Sequence, residues 1–354
     1  MILTYKYRIK DSNARKRLDA HARAVNFVWN YCCEVQRKAE SNWCAGMKAR
    51  RPNLFDLTKL TVGTGKELGI GSETISEICR FFTNARDAKR RAPRFRSSGG
   101  SKRSLGWVPF KGRFVTVEGC AVNWYGNRFR FWKSRDLGGP IKTGAFVQDA
   151  RGRWYVTFQC EVAEDRQTGT GEVGIDLGLK DLATLSSGEK IPALRHYRKY
   201  ESALGTAQRA KNKRRVRAIH AKIANARQHH LHEQSTKIVR ENKLIVVGNV
   251  NAAKLTQTKM AKSVLDAGWS TFRRQLEYKA RRHQAAYIEA DERFTSRTCS
   301  DCGSIGGPKG IAGLGIRCWE CADCGASHDR DVNAARNILR VGLECQPRTV
   351  GIAA

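Results

Sequence analysis

Two pairs of cysteines near the end of the chain have the spacing of a metal site. Residues 295–303 read TSRTCSDCG and residues 318–325 read CWECADCG. Cys299 with Cys302, and Cys321 with Cys324, each form a C-x-x-C knuckle followed by glycine. Four thiolates fill the tetrahedral sphere of zinc and leave no open position, so this pattern predicts a structural Zn²⁺ site. Two redox-active pairs are the alternative, and Cys318 is a rival ligand whose spacing breaks the matching knuckles.

Two aspartates could supply a different metal chemistry. Asp176 lies in the apolar run VGIDLGL at 173–179, and Asp331 opens a helical pattern in HDRDVNAARN at 328–337. A carboxylate among apolar residues is costly to bury without a cation. Two such carboxylates meeting in one α/β core would need Mg²⁺, or Mn²⁺, which prefer oxygen ligands. The alternatives are a turn-forming Asp176 and an N-cap role for the nearby Asp329.

The charge balance points to a polyanionic partner. Lys and Arg number 65 against 33 Asp and Glu, which gives a formal charge of +32 over 354 residues. Such charge favours nucleic acid. A solvated helix face is the alternative for the basic helical runs, and packing in a β-core is the alternative for the aromatic residues beside Lys111 and Arg113. The candidate nucleic-acid-binding residues are Arg80, Arg86, Lys89, Arg90, Lys111, Arg113, Lys211, Lys213, Arg214, Arg215 and Arg217.

The elements that position these residues follow from the hydrophobic pattern. Residues 1–10 alternate like a strand, 11–91 have helical periodicity, and the next stretch has near-period-two spacing that predicts a small antiparallel barrel. After about residue 171, strands at 172–177, 182–186, 244–247 and 286–290 alternate with helices at 193–241 and 266–285, which predicts an α/β domain ending in a helix at 329–341. No run of 18 apolar residues and no signal peptide is present, so we expect a soluble, cytoplasmic protein.

In combination, these motifs resemble a known family. The strings GIDLGLKDLAT, TSRTCSDCG, CWECADCG and HDRDVNAARNI, in that order, are similar to TnpB proteins of insertion sequences and to their Fanzor and type V CRISPR relatives. The resemblance covers most of the chain and also includes YKYRI, AVNFVWNYC and LDAGWSTFRRQLEYKA. It implies a RuvC nuclease domain of the RNase-H type in which three acids bind two metal ions. It also implies a guide RNA transcribed from the end of the element.

The resemblance further implies four regions in this chain. We expect a wedge-type β-barrel at 1–10 and 92–170 and a helical recognition lobe at 11–91. The RuvC domain is expected at 171–294 and 327–354, with a zinc ribbon that binds target nucleic acid inserted at 295–326.

One position departs from the family pattern. The second acid of the family is usually a Glu at the end of a strand, but here residues 244–251 read LIVVGNVN, with Gly248 in that place. Residues 286–294, AYIEADERF, offer Glu289, Asp291 and Glu292 from a neighbouring strand. Some Fanzors and related TnpB proteins are similar in carrying a Glu just before an aromatic-Thr-Ser knuckle. Glu292 matches that placement, so we expect Asp176, Glu292 and Asp331 to be the metal ligands and catalytic residues.

The expected function is that of an RNA-guided DNA endonuclease of a transposable element. It would hydrolyse target DNA beside a short duplex motif by a two-metal mechanism. Double-stranded target DNA and the guide RNA are the expected partners, together with a functional link to a transposase or recombinase of the same element and a place near the prokaryotic nucleoid. The alternative is a nuclease-inactive, RNA-guided DNA-binding repressor.

Overall fold

The computed structural model describes residues 1–10, 12–89, 91–164, 169–309 and 312–344. The chain forms two compact units, Met1–Ala163 and Glu164–Ala354. No described helix has both the length and the apolar character needed to cross a bilayer.

The first unit combines a helical part with antiparallel strands. Helix α1 buries Leu18, Val25 and Val28 at helical spacing along one face. The helices are α1 (Ser12–Cys44), α2 (Leu54–Leu60), α3 (Thr64–Leu68) and α4 (Ser72–Lys89). The strands are β1 (Ile2–Arg8), β2 (Trp107–Lys111), β3 (Val115–Glu118), β4 (Ala121–Trp124), β5 (Asn127–Arg130), β6 (Ile141–Gln148) and β7 (Trp154–Glu161).

These strands form two sheets around an aromatic core. One sheet has the order β1-β7-β6-β2 and the other the order β3-β4-β5. A single antiparallel bridge between Ile9 and Phe131 links β1 to the second sheet. Phe110, Phe146 and Phe158 are fully buried between the strands. Among the described residues the hydrogen bonding does not close into one continuous barrel, so the expected barrel takes the form of two joined antiparallel sheets.

The second unit contains a mixed five-stranded sheet with the order β10-β9-β8-β11-β12. Strand β11 lies parallel to both β8 and β12, while β9 and β10 run antiparallel. The strands of the sheet are β8 (Gly171–Leu177), β9 (Asp181–Leu185), β10 (Lys190–Pro192), β11 (Asn242–Gly248) and β12 (Ala286–Ala290). The helices before the last strand are α5 (His196–Arg209), α6 (Lys213–Glu241), α7 (Ala252–Leu255), α8 (Ala261–Ala267) and α9 (Trp269–His283).

A small ribbon and a final helix follow β12. The ribbon consists of β13 (Cys318–Glu320) and β14 (Ser327–Asp329), and helix α10 spans Arg330–Glu344. Helix α10 packs closely on β8, because a Cβ added at Gly174 would lie 2.1 Å from the carbonyl oxygen of Ala335. Glycine is therefore the residue that lets the helix approach the strand. The α/β nuclease fold expected from the sequence, with an inserted cysteine ribbon, describes this unit.

Candidate active site and zinc centre

Asp176 lies near the end of the central strand β8, between the buried residues Ile175 and Leu177. Burial and, to a smaller extent, the negative charges of Asp331 and Glu292 together raise the pKa of this carboxyl group to about 8, against the opposing effect of Arg330. A carboxyl group in this state binds a proton at neutral pH unless a cation replaces it. Asp331 and Glu292 therefore lie close enough to Asp176 for their charges to act on it.

Asp331 occupies the first turn of α10. Its backbone N–H donates to Asp329 Oδ1 at 3.0 Å, and the N–H of Val332 donates to the same oxygen at 3.1 Å. Asp329 is therefore the N-cap of this helix, while Asp331 itself is free of capping and faces Arg317, whose Nη1 lies 3.1 Å from its Oδ2. The cap fixes the helix start and so fixes the direction of the Asp331 side chain.

Glu292 follows β12 and reaches the end of the neighbouring strand β11. A Cβ placed on Gly248 would lie 3.0 Å from Glu292 Oε2 and 3.6 Å from Glu292 Cβ. Ile175 of β8 pairs with Val247 of β11, so Gly248 and Asp176 are the next positions along these two strands. The Glu292 side chain thus lies beside the space that a side chain at Gly248 would occupy. Burial raises the pKa of Glu292, while Arg273 opposes this effect.

The two other acids of this segment face elsewhere. Glu289 accepts a hydrogen bond from the Tyr287 hydroxyl at 2.9 Å and lies 3.4 Å from Arg273 Nη1. Asp291 is exposed, accepts the backbone N–H of Arg293 at 3.2 Å and pairs with the side chain of that arginine. Of the three candidates in AYIEADERF, Glu292 is the one whose charge acts on Asp176.

The four cysteines of the two knuckles come together as the sequence predicts. The Sγ atoms of Cys299, Cys302, Cys321 and Cys324 all lie within 4.8 Å of one another, and this arrangement fits a structural zinc ion. Cys318 is exposed and does not belong to this cluster. The four paired cysteines thus form the cluster that their spacing predicts.

One histidine lies behind the cysteine cluster. His328 is buried, and its Nε2 lies 3.0 Å from Cys299 Sγ. Its ring packs on Trp319 with 4.8 Å between ring centroids. An imidazole N–H that donates to a thiolate fixes the orientation of that thiolate and offsets part of its negative charge. His328 therefore supports the zinc site from outside the ligand set.

Two buried asparagines, which the sequence argument did not single out, connect the zinc centre to the acids. Asn333 and Asn337 are each 1% exposed and both donate from Nδ2 to the carbonyl oxygens of Thr295 and Thr298. Asn333 Oδ1 also accepts the N–H of Ser300 at 2.8 Å. The segment between Glu292 and Cys299 is thus hydrogen-bonded to the helix that carries Asp331. In the sequence, the four-residue spacing of these two asparagines in an amphipathic helix was the pattern that could have indicated this role.

Five of the candidate basic residues project from the junction of α5 and α6. Lys211, at the turn with φ +49°, and Lys213 to Arg217 at the start of α6 surround this junction. All five are exposed, and none has an ion pair with a described residue. The five residues are Lys211, Lys213, Arg214, Arg215 and Arg217.

The basic residues of the first unit differ among themselves. Arg80 and Lys111 both pair with the buried Glu77, and Arg113 is exposed with its guanidinium over the Phe114 ring. Arg90 and the side chain of Lys89 lie outside the described residues.

Arg86 corrects one expectation from the sequence. It is 8% exposed, and its guanidinium donates to Gln36 Oε1 at 3.1 Å, to Asp87 Oδ1 at 2.7 Å and to the carbonyl oxygen of Pro52. This guanidinium is already fully engaged inside the helical part of the unit, so Arg86 is a structural residue and is not available to a phosphate.

Comparison with known proteins gives two matching family models. One, described as "Probable transposase", matches residues 156–259, and the other, described as "Cas12f1-like, TNB domain", matches residues 269–338. The first match covers β8 and β11, and the second covers the cysteine knuckles and most of α10.

Several curated proteins are similar to parts of this chain. A putative RNA-guided DNA endonuclease of Streptomyces pristinaespiralis is 39% identical over 58% of this chain and 54% of its own length. The putative RNA-guided DNA endonuclease InsQ of Escherichia coli is 28% identical over 60% of each chain. The chain therefore spans little more than half the length of the curated relatives it matches.

A solved structure has the same overall fold. It is the Cas12f1 chain of a Cas12f1-sgRNA-target DNA complex, with a TM-score of 0.60, 12% identity, and coverage of 93% of this chain and 83% of that chain.

Proposed function

We propose that this chain is a member of the TnpB family and an RNA-guided DNA endonuclease of a transposable element that cuts target DNA beside a short duplex motif. The observation that carries the proposal is a group of three acids: Asp176 of β8, Asp331 of α10, and Glu292 of the segment after β12. The charges of Asp331 and Glu292 act on Asp176. Two similar proteins are named putative RNA-guided DNA endonucleases, which supports DNA cleavage as the reaction.

The acidic group suits a pair of divalent cations. Asp176, Glu292 and Asp331 offer only carboxylate oxygens, the ligands that Mg²⁺ and Mn²⁺ prefer. The raised pKa of Asp176 means that the three charges repel one another in a partly buried place, and a cation would offset that repulsion. Asp176, Glu292 and Asp331 would hold such ions, which would supply activation of a water molecule, orientation of the scissile phosphate and charge for the leaving 3′ oxygen.

The chain's own residues prepare this chemistry. The Asp329 cap holds Asp331 at the helix start, and the two asparagines hold the segment that follows Glu292. Arg317, which faces Asp331, and Lys190, 2.6 Å from Asp329, keep positive charge at the edge of the acidic group where a phosphate would approach.

We assign Glu292 as the third metal ligand, in the place of the family's usual acid at the end of β11. The support is that its oxygen lies beside the empty side-chain position of Gly248, whereas Glu289 and Asp291 pair with arginines. The nuclease-inactive repressor remains the alternative function. The costly burial of Asp176 beside two further acids favours a working metal site, because a protein that only binds DNA would gain stability by losing them.

The remaining assignments are also proposals. A wedge-type region at 1–10 and 92–170, a recognition lobe at 11–91, a nuclease domain at 171–294 and 327–354, and a target-binding ribbon at 295–326 would divide the work. The cluster of exposed cations from Lys211 to Arg217 would hold the backbone of the guide RNA or of the guide–target duplex. Action on DNA in the cytoplasm, near the nucleoid, and a link to a transposase or recombinase of the same element complete the proposal.

The test is cleavage by the protein purified together with its co-expressed RNA. We expect a guide-matched plasmid to be cut with Mg²⁺ and to give 5′-phosphate ends, and Asp176→Ala, Glu292→Ala and Asp331→Ala each to abolish cutting without loss of the bound RNA. Glu289→Ala is the matched control, since it removes an acid three positions before Glu292 that pairs with Arg273. Full cutting by Glu292→Ala would refute the ligand assignment, and target binding without any cutting by the unmodified protein would favour the repressor.

A further inference from the structure

A cavity in the second unit lies beyond the acidic group. It has a volume of about 630 Å³ and opens between the loop after β8, the start of α5, helix α6 and helix α8. Its walls are mainly apolar, with Leu179, Leu182 and Leu231 among the lining residues. This volume and this lining are in the range of sites that bind small organic groups.

Three polar atoms line the cavity without a hydrogen-bond partner among the described residues. They are Nε2 of His230, Nε2 of His196 and Oδ1 of Asp266. His230 is only 8% exposed and Asp266 only 9%, so water does not readily compensate them. Buried polar groups are nearly always paired, and the two histidine nitrogens, which have neither a hydrogen bond nor an ion pair with a described residue, indicate a ligand that pairs with them.

The chemistry of these atoms restricts the ligand. Burial lowers the pKa of His196, so this imidazole is neutral at pH 7 and offers one donor or one acceptor. Asp266 Oδ2 accepts the backbone N–H of Tyr197 at 2.8 Å, and Asp266 Oδ1, which can only accept a hydrogen bond, lies 3.6 Å from Arg227 Nη1. A flat group with apolar faces and an edge that carries both donors and acceptors satisfies this set. A nucleobase has that form.

The entrance of the cavity is positively charged. Lys180 and Arg195 lie at the rim, both are exposed, and neither has an ion pair with a described residue. Cations at the rim and apolar walls inside suit a nucleotide whose phosphate stays outside while its base enters.

The loop that lines the cavity also continues directly from the acidic group. Gly178 is two residues beyond Asp176, its carbonyl oxygen accepts the indole N–H of Trp269 at 3.2 Å, and Leu179 and Lys180 then form part of the cavity. A strand held at Asp176 is therefore within a few residues of the rim. A base can enter only if it is not paired in a duplex.

We propose that this cavity takes up one unpaired base of the single-stranded DNA that is presented to the acidic group. The assignment to DNA rests on the proposed function. The cavity would hold the strand by its base while the cations at its rim hold the adjoining phosphates.

The experiment measures binding without cleavage, using the complex of the full chain with its RNA in an Asp176→Ala background. The probe is a DNA oligonucleotide unrelated to the guide that carries one 2-aminopurine, followed by anisotropy and by the change in 2-aminopurine emission. His230→Leu removes one unpaired atom, and Ser263→Trp fills the cavity from α8. We expect each to weaken binding about tenfold, the loss typical of one stacked base, and to abolish the emission change.

The matched control is His229→Leu, an exposed neighbour on the same helix, which should bind within about twofold of the unmodified complex. Thermal unfolding separates this effect from misfolding, because His230→Leu removes an unpaired buried group and should not lower the unfolding temperature. Equal binding by all variants overturns the proposal. A loss confined to an RNA oligonucleotide, or tight binding of deoxyadenosine monophosphate alone, overturns the assignment to a DNA strand. Cleavage of guide-matched DNA by the unmodified protein is a separate measurement, so failure there would refute the proposed function and not the cavity.

Discussion

Replacing Asp176 by asparagine should stabilise the magnesium-free protein while it abolishes cleavage. Burial and two neighbouring acids raise the pKa of this group from 3.8 to about 8. At about 1.36 kcal/mol for each pKa unit, this is an upper bound of roughly 6 kcal/mol in the free energy of unfolding. The carboxylate is partly exposed at the end of its strand, so we expect the measured gain to be about 2 to 3 kcal/mol.

The size of this stabilisation depends on pH. Because the folded-state pKa lies above the unfolded value, the folded protein binds the proton more tightly between about pH 4 and pH 8. The contribution of Asp176 to stability is therefore full below about pH 4 and is lost as the pH rises to about 8. Asparagine does not titrate, so the advantage of the variant should grow across this range and level off above it.

The assay is urea denaturation of both proteins at pH 5.5 and pH 8.5 in magnesium-free buffer that contains zinc and no chelator. Adding Mg²⁺ at ten times its dissociation constant should then stabilise the unmodified protein by about 1.4 kcal/mol and the variant by much less. Asp291→Asn, which removes an exposed acid, is the control and should respond to Mg²⁺ like the unmodified protein. A variant less stable than the parent at pH 8.5, or one with the same response to Mg²⁺, would refute the reasoning.

Four further outcomes are expected. Glu292→Gln should lower the cleavage rate at least about 100-fold while Glu289→Gln changes it less than about threefold, as measured in single-turnover assays with Mg²⁺. Cys321→Ser should reduce bound zinc, measured by mass spectrometry, from about one per chain to near zero. Asn333→Leu should keep its zinc yet cut slowly, because the Thr295 and Thr298 carbonyls lose a donor; normal cutting would exclude this positioning role. Arg214→Glu should weaken binding of the co-purified RNA and flatten its salt dependence in filter-binding titrations.

The sequence predicted the parts of the structure that depend on local spacing. The knuckle pairs Cys299–Cys302 and Cys321–Cys324 each lie within four residues, so spacing alone identified the cluster. The strands of the second unit were also evident, because a sheet buried on both faces gives continuous apolar runs such as 244–247.

The residue pattern by itself did not separate three nearby acids, and the choice of Glu292 came from the family resemblance alone. Glu289, Asp291 and Glu292 lie within four positions, and which of them faces Asp176 depends on the alternation of β12 and on the turn that follows it. In the structure, Glu289 pairs with Arg273 and Asp291 with Arg293, whereas Glu292 lies beside Gly248.

Arg86 was wrongly predicted to bind nucleic acid, although its spacing from apolar residues in the sequence indicated a buried position. It follows Ile78 and Phe82 at intervals of four residues, which places it on the buried face of α4. A cation on that face needs internal acceptors and cannot also bind a phosphate. The cavity beside α6 had no sequence signal, because its lining comes from four separate segments of the chain.

The closeness of Glu292 to the bare backbone of Gly248 affects how members of such a family should be sorted. The two positions compete for one volume, so an acid at either of them excludes a large side chain at the other. A survey that reads only the end of β11 would class this chain as inactive, whereas a survey that scores both positions as alternatives would retain it as a candidate nuclease.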